Sequence, residues 1–429
     1  IMDGRNKQRK ISKTITLILA ATLMITMCFG SFETAEAKEK DKVSDVLKCT
    51  GDYIYSKVKE PCYGAIGGEW AVYGLKEAGY PVSDNYYKTY KKSVEKAVKE
   101  GYRGKPGILH DKKYTEYSRV VFAYGKLDFD PTNVAGYDLL EKLADYDKVK
   151  WQGINGPIWA LRALDSGGYD MPDAPKGAVQ ATRNMYIDFI LDAQLPDGGW
   201  DIASKNADPD MTAMALQALA PYRNKTKVKK ATDKALEVLS EIQNANGGYS
   251  SGGAANSESC SQVIWALTLL GIDADTDTRF IKGGKSVVDA LLTFYDKKTG
   301  GFRHVNVAQG GYEAEVNQLA TEQAYYALAS YKYDVAKARV TKLNAPDKSS
   351  LKVTWEKQST ADGYEVTIAT DKNFKKNVNK SAVSKNSTVT KTFKSLKSGN
   401  TYYARVRAYR NIDGCKVYGD YSAVKKLKM

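Results

Sequence analysis

Two acids stand where chemistry could be done. Asp210, in DPDMTA (208–213), and Glu258, in NSESC (256–260), each open an apolar stretch rich in alanine and leucine. If those stretches are neighbouring helices, their axes lie about 8–10 Å apart. That overlaps the separation of about 6.5–9.5 Å at which an acid and a base admit a water for inverting glycoside hydrolysis. The same residues have a plainer use. Asp208 or Asp210, and likewise Glu258, can accept hydrogen bonds from the unpaired backbone N–H groups of a helix's first turn. Both readings stay open at this level. Metal chemistry is poorly supplied: the chain has two histidines, His110 and His304, and beyond residue 37 only Cys49, Cys62, Cys260 and Cys415, in no zinc spacing. Cys49 and Cys62 either bridge the first helix to its following loop or stay free. DADTD (273–277) has the acids of a calcium loop, but Thr278 follows where Gly is needed and no Glu closes it. No metal and no cofactor are expected.

The elements that position these acids repeat. IWAL at 158–161 recurs at 264–267, alongside MALQAL at 214–219 and YYAL at 325–328. Paired-glycine turns, QLPDGGW (194–200), QNANGGY (243–249) and DKKTGGF (296–302), precede several of these segments, and each ends in an aromatic expected to plug against the next helix. Helical periodicity predicts amphipathic first members near 42–57, 84–100, 136–146, 176–193, 226–243 and 284–295. Apolar second members fall near 67–78, 113–125, 153–165, 209–220, 258–270 and 318–331. Six buried helices inside six amphipathic ones satisfy both patterns, which predicts an all-α (α/α)6 toroid over residues 38–337. All inner helices then point the same way, and their N–H-rich, positive ends share one mouth. Alignment on their shared Leu (Tyr124 in the second) puts Ile66, Thr115, Gln152, Asp210, Glu258 and Leu319 in one layer. Glu69 with Trp70, Ser118 with Arg119, Asn155, Ser261 with Gln262, and Glu322 with Gln323 follow in the next. The candidate ligand-binding residues are therefore Glu69, Trp70, Glu116, Arg119, Gln152, Asn155, Asp210, Glu258, Gln262, Glu322 and Gln323, with Asp210 and Glu258 as candidate catalytic acids. Trp151, Trp200, Tyr114, Tyr117 and Tyr249 join Trp70 either as an aromatic wall for a flat, cyclic or glycan-like ligand or as packing anchors.

GGEWAVYGL (67–75), KYTEYSRVV (113–121), QGINGPIWALRALDS (152–166), QLPDGGW and NSESCSQVIWALTLLGID (256–273), as a set spanning 45–333, resemble the terpenoid cyclase and protein prenyltransferase toroid family, in its branch exported by Gram-positive bacteria. The resemblance spans enzymes and binders, since the same toroid in animals carries cobalamin. DPDMTA resembles the DxDDTA motif of squalene-type cyclases, in which the residue matching Asp210 is the general acid that protonates an alkene. Met211 stands where the last Asp of that motif belongs. ESC (258–260) resembles the Asp-x-Cys zinc ligands of the prenyltransferases, with Glu258 and Cys260 in place. The third ligand, a His directly before a Thr, is here Ala320 before Thr321, and two ligands do not hold a catalytic zinc. Squalene cyclases also use two helical barrels and lipid-phase substrates, whereas one barrel is read here. A binding toroid is expected ahead of a terpene-cyclising or glycan-active enzyme.

After residue 338 the pattern changes. LKVTW (351–355), YEVTI (364–368) and YYARVRAY (402–409) alternate with period two, and Trp355 is the expected core tryptophan. Leu396, Gly399 and Tyr402 fit the LxxGxxY corner of the fibronectin type III sandwich, which residues 338–429 resemble. Charge divides the chain the same way. Residues 38–339 hold 40 basic and 40 acidic side chains, and residues 340–429 hold 19 and 7. Such an excess on one small domain draws polyanions. Arg5, Lys7, Arg9, Lys10 and Lys13, the apolar run ITLILAATLMITMCFG, and Ala35 and Ala37 read as a secretory signal over 1–37, with Met27 arguing against lipidation at Cys28. An exported or wall-associated protein is expected, meeting anionic envelope polymers rather than nucleic acid, with no membrane-spanning segment after signal cleavage.

Overall fold

The computed structural model describes residues 43–83, 85–332, 338–358, 361–412, 415–419 and 421–429. The signal reading over 1–37 lies outside these residues. The chain is a helical region followed by a β-sheet domain. Among the described residues there are twelve α-helices: α1 (43–57), α2 (Trp70–Glu77), α3 (Tyr86–Glu100), α4 (Thr115–Leu127), α5 (Tyr146–Val149), α6 (Asn155–Ser166), α7 (Arg183–Asp192), α8 (Pro209–Leu219), α9 (Thr226–Glu241), α10 (Ser257–Leu269), α11 (Val287–Leu292) and α12 (Gln318–Lys332). None is long and apolar enough to cross a membrane.

Burial separates odd from even helices. In α3 the buried residues are Tyr86, Tyr90, Val94 and Val98, a single i, i+4 stripe, so its lysines and acids stay in water. In α10 every residue from Ser257 to Leu269 is buried. The even helices pack in chain order, α2 on α4, α4 on α6, α6 on α8, α8 on α10 and α10 on α12, and α12 returns to α2. Their aromatic side chains meet inside: Tyr73 stacks on Trp265 at 5.4 Å and Trp265 contacts Tyr326 at 4.4 Å. The buried Arg162 lies against this group, 4.0 Å from the Trp265 ring and 4.4 Å from that of Trp159.

Several predicted helices differ in the structure: the one expected over 176–193 is Arg183–Asp192, the one over 284–295 is Val287–Leu292, and two others change more in kind. The amphipathic member expected over 136–146 is instead a 3-10 turn (Glu141–Ala144) and the four-residue α5. Asp138 accepts from the Glu141 N–H and Asp145 from the Lys148 N–H, so aspartate side chains compete with the helical ladder and break it into short turns. The helix expected from residue 67 begins at Trp70, because residues 65–69 form an irregular turn with Gly67 at φ 71°.

The paired-glycine turns join successive helices, and two are tied down by a glutamine. Gln194 donates to the Gly198 carbonyl at 2.7 Å and to Ala231 of α9 at 2.9 Å, and Gln243 repeats this toward Gly247 and Phe280 at 2.7 and 2.9 Å. The polar tips of these aromatics bond back to the preceding helix. Trp200 Nε1 donates back to Ile190 of α7 at 2.7 Å, and the Tyr249 hydroxyl donates back to Leu239 of α9 at 2.9 Å. The forward link is through backbone: the Trp200 N–H donates to Thr212 of α8, and the Phe302 N–H to Thr321 of α12, each at 2.9 Å. Gly198 sits at φ 110°, and a Cβ on Gly199 would lie 2.3 Å from that of Ala207.

Residues 340–428 form two antiparallel sheets. Ahead of them in the chain, β1 (Ser250–Ser251) and β2 (Ala254–Ala255) make a short hairpin before α10. One larger sheet has β3 (Val340–Asp347), β4 (Ser350–Trp355) and β7 (Thr390–Phe393). The other orders β10 (Lys425–Lys428), β8 (Thr401–Ile412), β5 (Gly363–Ala369) and β6 (Asn379–Val383), with β9 (Cys415–Tyr418) also on β8. Trp355 is buried against Tyr364 at 5.3 Å. The Tyr402 hydroxyl accepts from the Lys397 N–H at 2.9 Å, and Gly399 between them takes φ 81°, the corner read from the sequence. This domain docks where the even helices end. Glu77 at the end of α2 lies 3.8 Å from Lys126 and 3.7 Å from Arg410 of β8, while β9 packs against α10 and the Ala220–Tyr222 turn.

Gly199→Ala should cost about 1–3 kcal/mol by overpacking the turn, lowering the thermal midpoint by about 2–4 °C for each kcal/mol. Differential scanning calorimetry reads this directly, and an unchanged midpoint would remove the turn's structural role.

Candidate functional site

The starts of the even helices lie together and carry most of the polar residues of this region. Each start needs acceptors for its free N–H groups. Asp208 is the N-cap of α8, accepting from the Met211 N–H at 2.9 Å, and Asn256 is the N-cap of α10, accepting from the Ser259 N–H at 2.8 Å. Capping thus falls to Asp208 and Asn256, and Asp210 and Glu258 are left for other contacts. Gln152 accepts from the Thr115 N–H at the start of α4 at 3.1 Å. Both oxygens of Glu322 accept from the Gly67 N–H, at 3.0 and 3.2 Å, and Gln318 donates to the same carboxylate at 2.7 Å.

Between α2, α4, α6 and α8 these starts surround a cavity of about 480 Å³. Trp70, Arg119, Asn155 and Asp210 line it, as do Trp159, Met211 and Met214, and loop residues Asp201, Ile202 and Ser251 border it. The Trp70 and Trp159 rings lie 5.1 Å apart, so one wall is aromatic and the rest carries amide, guanidinium and carboxyl groups. The Asn155 Oδ1 and one Asp210 oxygen are sealed without a hydrogen-bond partner.

The other sequence-selected residues support this cavity or lie apart from it. Glu69 is fully buried behind Arg119, 3.8 Å from its Nε, and accepts from Tyr90 at 3.0 Å and Gly64 N–H at 3.3 Å. Glu116 accepts from Arg119 at 2.5 Å and from the Tyr63 hydroxyl at 3.0 Å. Arg119 is thus held between two carboxylates. Gln262 bonds Gln323 at 2.8 Å and Tyr326 at 2.9 Å, an interior amide network joined by Gln217. Glu258 is not among the described residues lining the cavity. Its carboxylate takes the Ser257 hydroxyl at 3.0 Å and meets His304 Nδ1 at 2.7 Å. Of the expected aromatic wall, Trp70 lines the cavity, while Trp151 is exposed and Trp200, Tyr117 and Tyr249 are buried as packing anchors.

Sequence reading missed His304, which joins Glu258 from a distant loop, and its only signal was that histidine is so rare in this chain. It also missed Trp159, legible only as the tryptophan of IWAL. Cys49, Cys62 and Cys260 are free. Cys260 is buried, which pushes its thiol up to about 12, so the free thiol stays protonated. Among the described residues no group of three or more His, Cys, Asp or Glu side chains could hold a metal ion. In DADTD, Asp273 caps its own turn and Asp277 pairs with Arg279 at 2.8 Å, as a solvated turn would.

Burial also sets the protonation of the site. Asp210 is pushed up to about 7, first by burial and then by the charges of Asp208 and Glu258, against an opposing Ser259 hydroxyl. Burial likewise pushes Glu322 up to about 7, against hydrogen bonds from Gln318 and Gly67. Burial raises Glu69 as well, opposed chiefly by the Arg119 charge. A carboxyl whose folded value lies above its unfolded one costs nothing below about pH 4. It costs stability progressively between about pH 4 and 7, as the unfolded chain ionises first, by up to about 4 kcal/mol for a shift of this size. Asp210→Asn should therefore stabilise the fold at pH 8 while changing little at pH 4. Chemical denaturation at the two pH values checks this, and an equal effect at both would mean Asp210 ionises normally.

Residues 339–415 match the fibronectin type III domain family. No curated protein matches the chain. Among solved structures the chain is similar to the crystal structure of chicken CNTN1 FN1-FN3 domains, at 21% identity over 20% of this chain and 29% of that one, with a TM-score of 0.17. The chain thus spans less than a third of that structure. The C-terminal β-sandwich is a fibronectin type III domain.

Proposed function

We propose that the helical region is an (α/α)6 toroid that binds a small cyclic or glycan-like ligand at the mouth formed by its inner-helix starts. In the same reading the fibronectin type III domain holds the exported protein on anionic polymers of the cell envelope. The packing order of the even helices, which closes from α12 back to α2, supports the toroid, as does the resemblance to the cyclase and prenyltransferase family. The observation that carries the ligand reading is the cavity itself. Its volume of about 480 Å³ falls within the range of small-molecule sites, and an aromatic pair beside a few fixed polar groups is the composition such sites have. Arg119 is pinned by Glu69 and Glu116, so its free edge is oriented before a ligand arrives. The 19 basic against 7 acidic residues after 340 support attachment.

One observation favours a second reading, acid catalysis. Asp210 faces the cavity with a proton held up to about 7, the state a general acid needs near neutral pH. Incubation with terpenoids or oligosaccharides would then yield product that Asp210→Asn abolishes.

Native mass spectrometry of the protein purified from its own envelope should show a small molecule bound to wild type and absent from Trp159→Ala and Arg119→Ala, with thermal midpoints within a few degrees of each other. No bound species on wild type, or loss of binding only in step with loss of folding, would overturn the ligand reading.

A further inference from the structure

The outward face of the larger fibronectin sheet carries an arrangement separate from the cavity. Tyr364, Val366, Tyr402, Ala404 and Val406 pack in the sandwich core. Strand alternation therefore places Glu365, Thr367, Tyr403, Arg405 and Arg407 on the opposite face. Register aligns them across strands, with Thr367 opposite Arg405, Glu365 opposite Arg407, Lys380 opposite Thr367 and Lys426 opposite Tyr403.

On that face the guanidinium groups are stacked on rings. Arg405 lies 4.0 Å from the Phe374 ring and 3.7 Å from the Tyr421 ring. Arg407 lies 3.9 Å from Tyr418 and 4.5 Å from Tyr421. The two arginines differ in charge pairing. Arg407 is bonded to Glu365 at 3.0 Å, and Glu365 also takes the Tyr421 hydroxyl at 2.5 Å and approaches Lys380 at 4.0 Å. Among the described residues no carboxylate forms an ion pair with Arg405, and its Nε is buried between the rings without a hydrogen-bond partner, which leaves the terminal nitrogens as its donors to a ligand. Aromatic stacking holds a guanidinium in place and partly dries it while its terminal NH2 pair can still donate. Such a pair takes a carboxylate in a bidentate fork at little further entropic cost.

We infer that this face binds an anionic polysaccharide, with Arg405 as the principal contact for its carboxylates and Arg407, Lys380 and Lys426 as flanking cations. Charge complementarity supports this occupant, since Glu365 is the only acid in the aligned rows named above and is already shared by three partners. Nucleic acid fits less well. Binding of single strands relies on open ring faces for bases, whereas Phe374, Tyr418 and Tyr421 already serve the arginines. The inference rests on the attachment part of the proposed function and gives it a site and a polymer chemistry.

The test is binding of the full chain to immobilised polygalacturonate, with neutral dextran and single-stranded DNA as comparisons. Wild type should bind polygalacturonate and not dextran, and Arg405→Gln should weaken binding about tenfold or more. Arg405→Lys should lose about threefold or more although the charge is kept, because a lysine has no planar fork. If Arg405→Gln melts below wild type, the double variant Lys380→Gln, Lys426→Gln keeps the test, since Lys380 is about half exposed and Lys426 is exposed, and it should also lose about threefold or more. Equal binding by all variants overturns this site while leaving attachment standing. Tighter binding to DNA than to polygalacturonate overturns the polysaccharide. Failure of wild type to bind either polygalacturonate or its own envelope overturns attachment and this inference together.

Discussion

The free N–H groups at the starts of the buried helices have to find acceptors inside the fold, and the polar residues of the cavity region follow from that demand. Asp208, Asn256, Gln152 and Glu322 each meet one of these donors or the turn that precedes it. A buried rim that must supply acceptors gathers carboxyl and amide groups whether or not a ligand is present. Capping does not use every polar group on this rim. Asp210 caps nothing, keeps an oxygen without a partner, and opens onto a cavity with two tryptophans.

Burial then decides the charge state of the region. Glu69 and Glu116 hold Arg119 between them, so a cation stands at the cavity edge with its carboxylates behind it. On the other side Asp210, which forms no ion pair among the described residues, is pushed up to about 7 by burial against the Ser259 hydroxyl and the more distant His304. Burial raises both Glu69 and Asp210, and the two differ in what opposes it: chiefly the Arg119 charge at Glu69 and the Ser259 hydroxyl at Asp210.

Much of this architecture was legible in the residues. The AL-rich repeats mark the buried helices, and the period-two strands with Leu396, Gly399 and Tyr402 mark the sandwich. Long amphipathic stripes, such as that of α3, survive from sequence to structure because burial of four aligned side chains outweighs local alternatives. Where the pattern is short, local chemistry takes over, as with Asp138 and Asp145 in place of a third amphipathic helix. The candidate site was legible as a set and not residue by residue. Trp70, Arg119, Asn155 and Asp210 reach the cavity, but a displacement of two positions decides between capping and facing it, as Asp208 and Asp210 show. His304 joins Glu258 only through the path of a loop, which periodicity does not encode.

The fibronectin domain meets the helical region where the even helices end, through Glu77 shared by Lys126 and Arg410. The cavity lies at the other ends of the same helices. A buried acid that needs a cation from each domain ties their orientation, so the molecule has a head and a base: a support gripping the β-sandwich would leave the opening pointing away from it, toward whatever diffuses past.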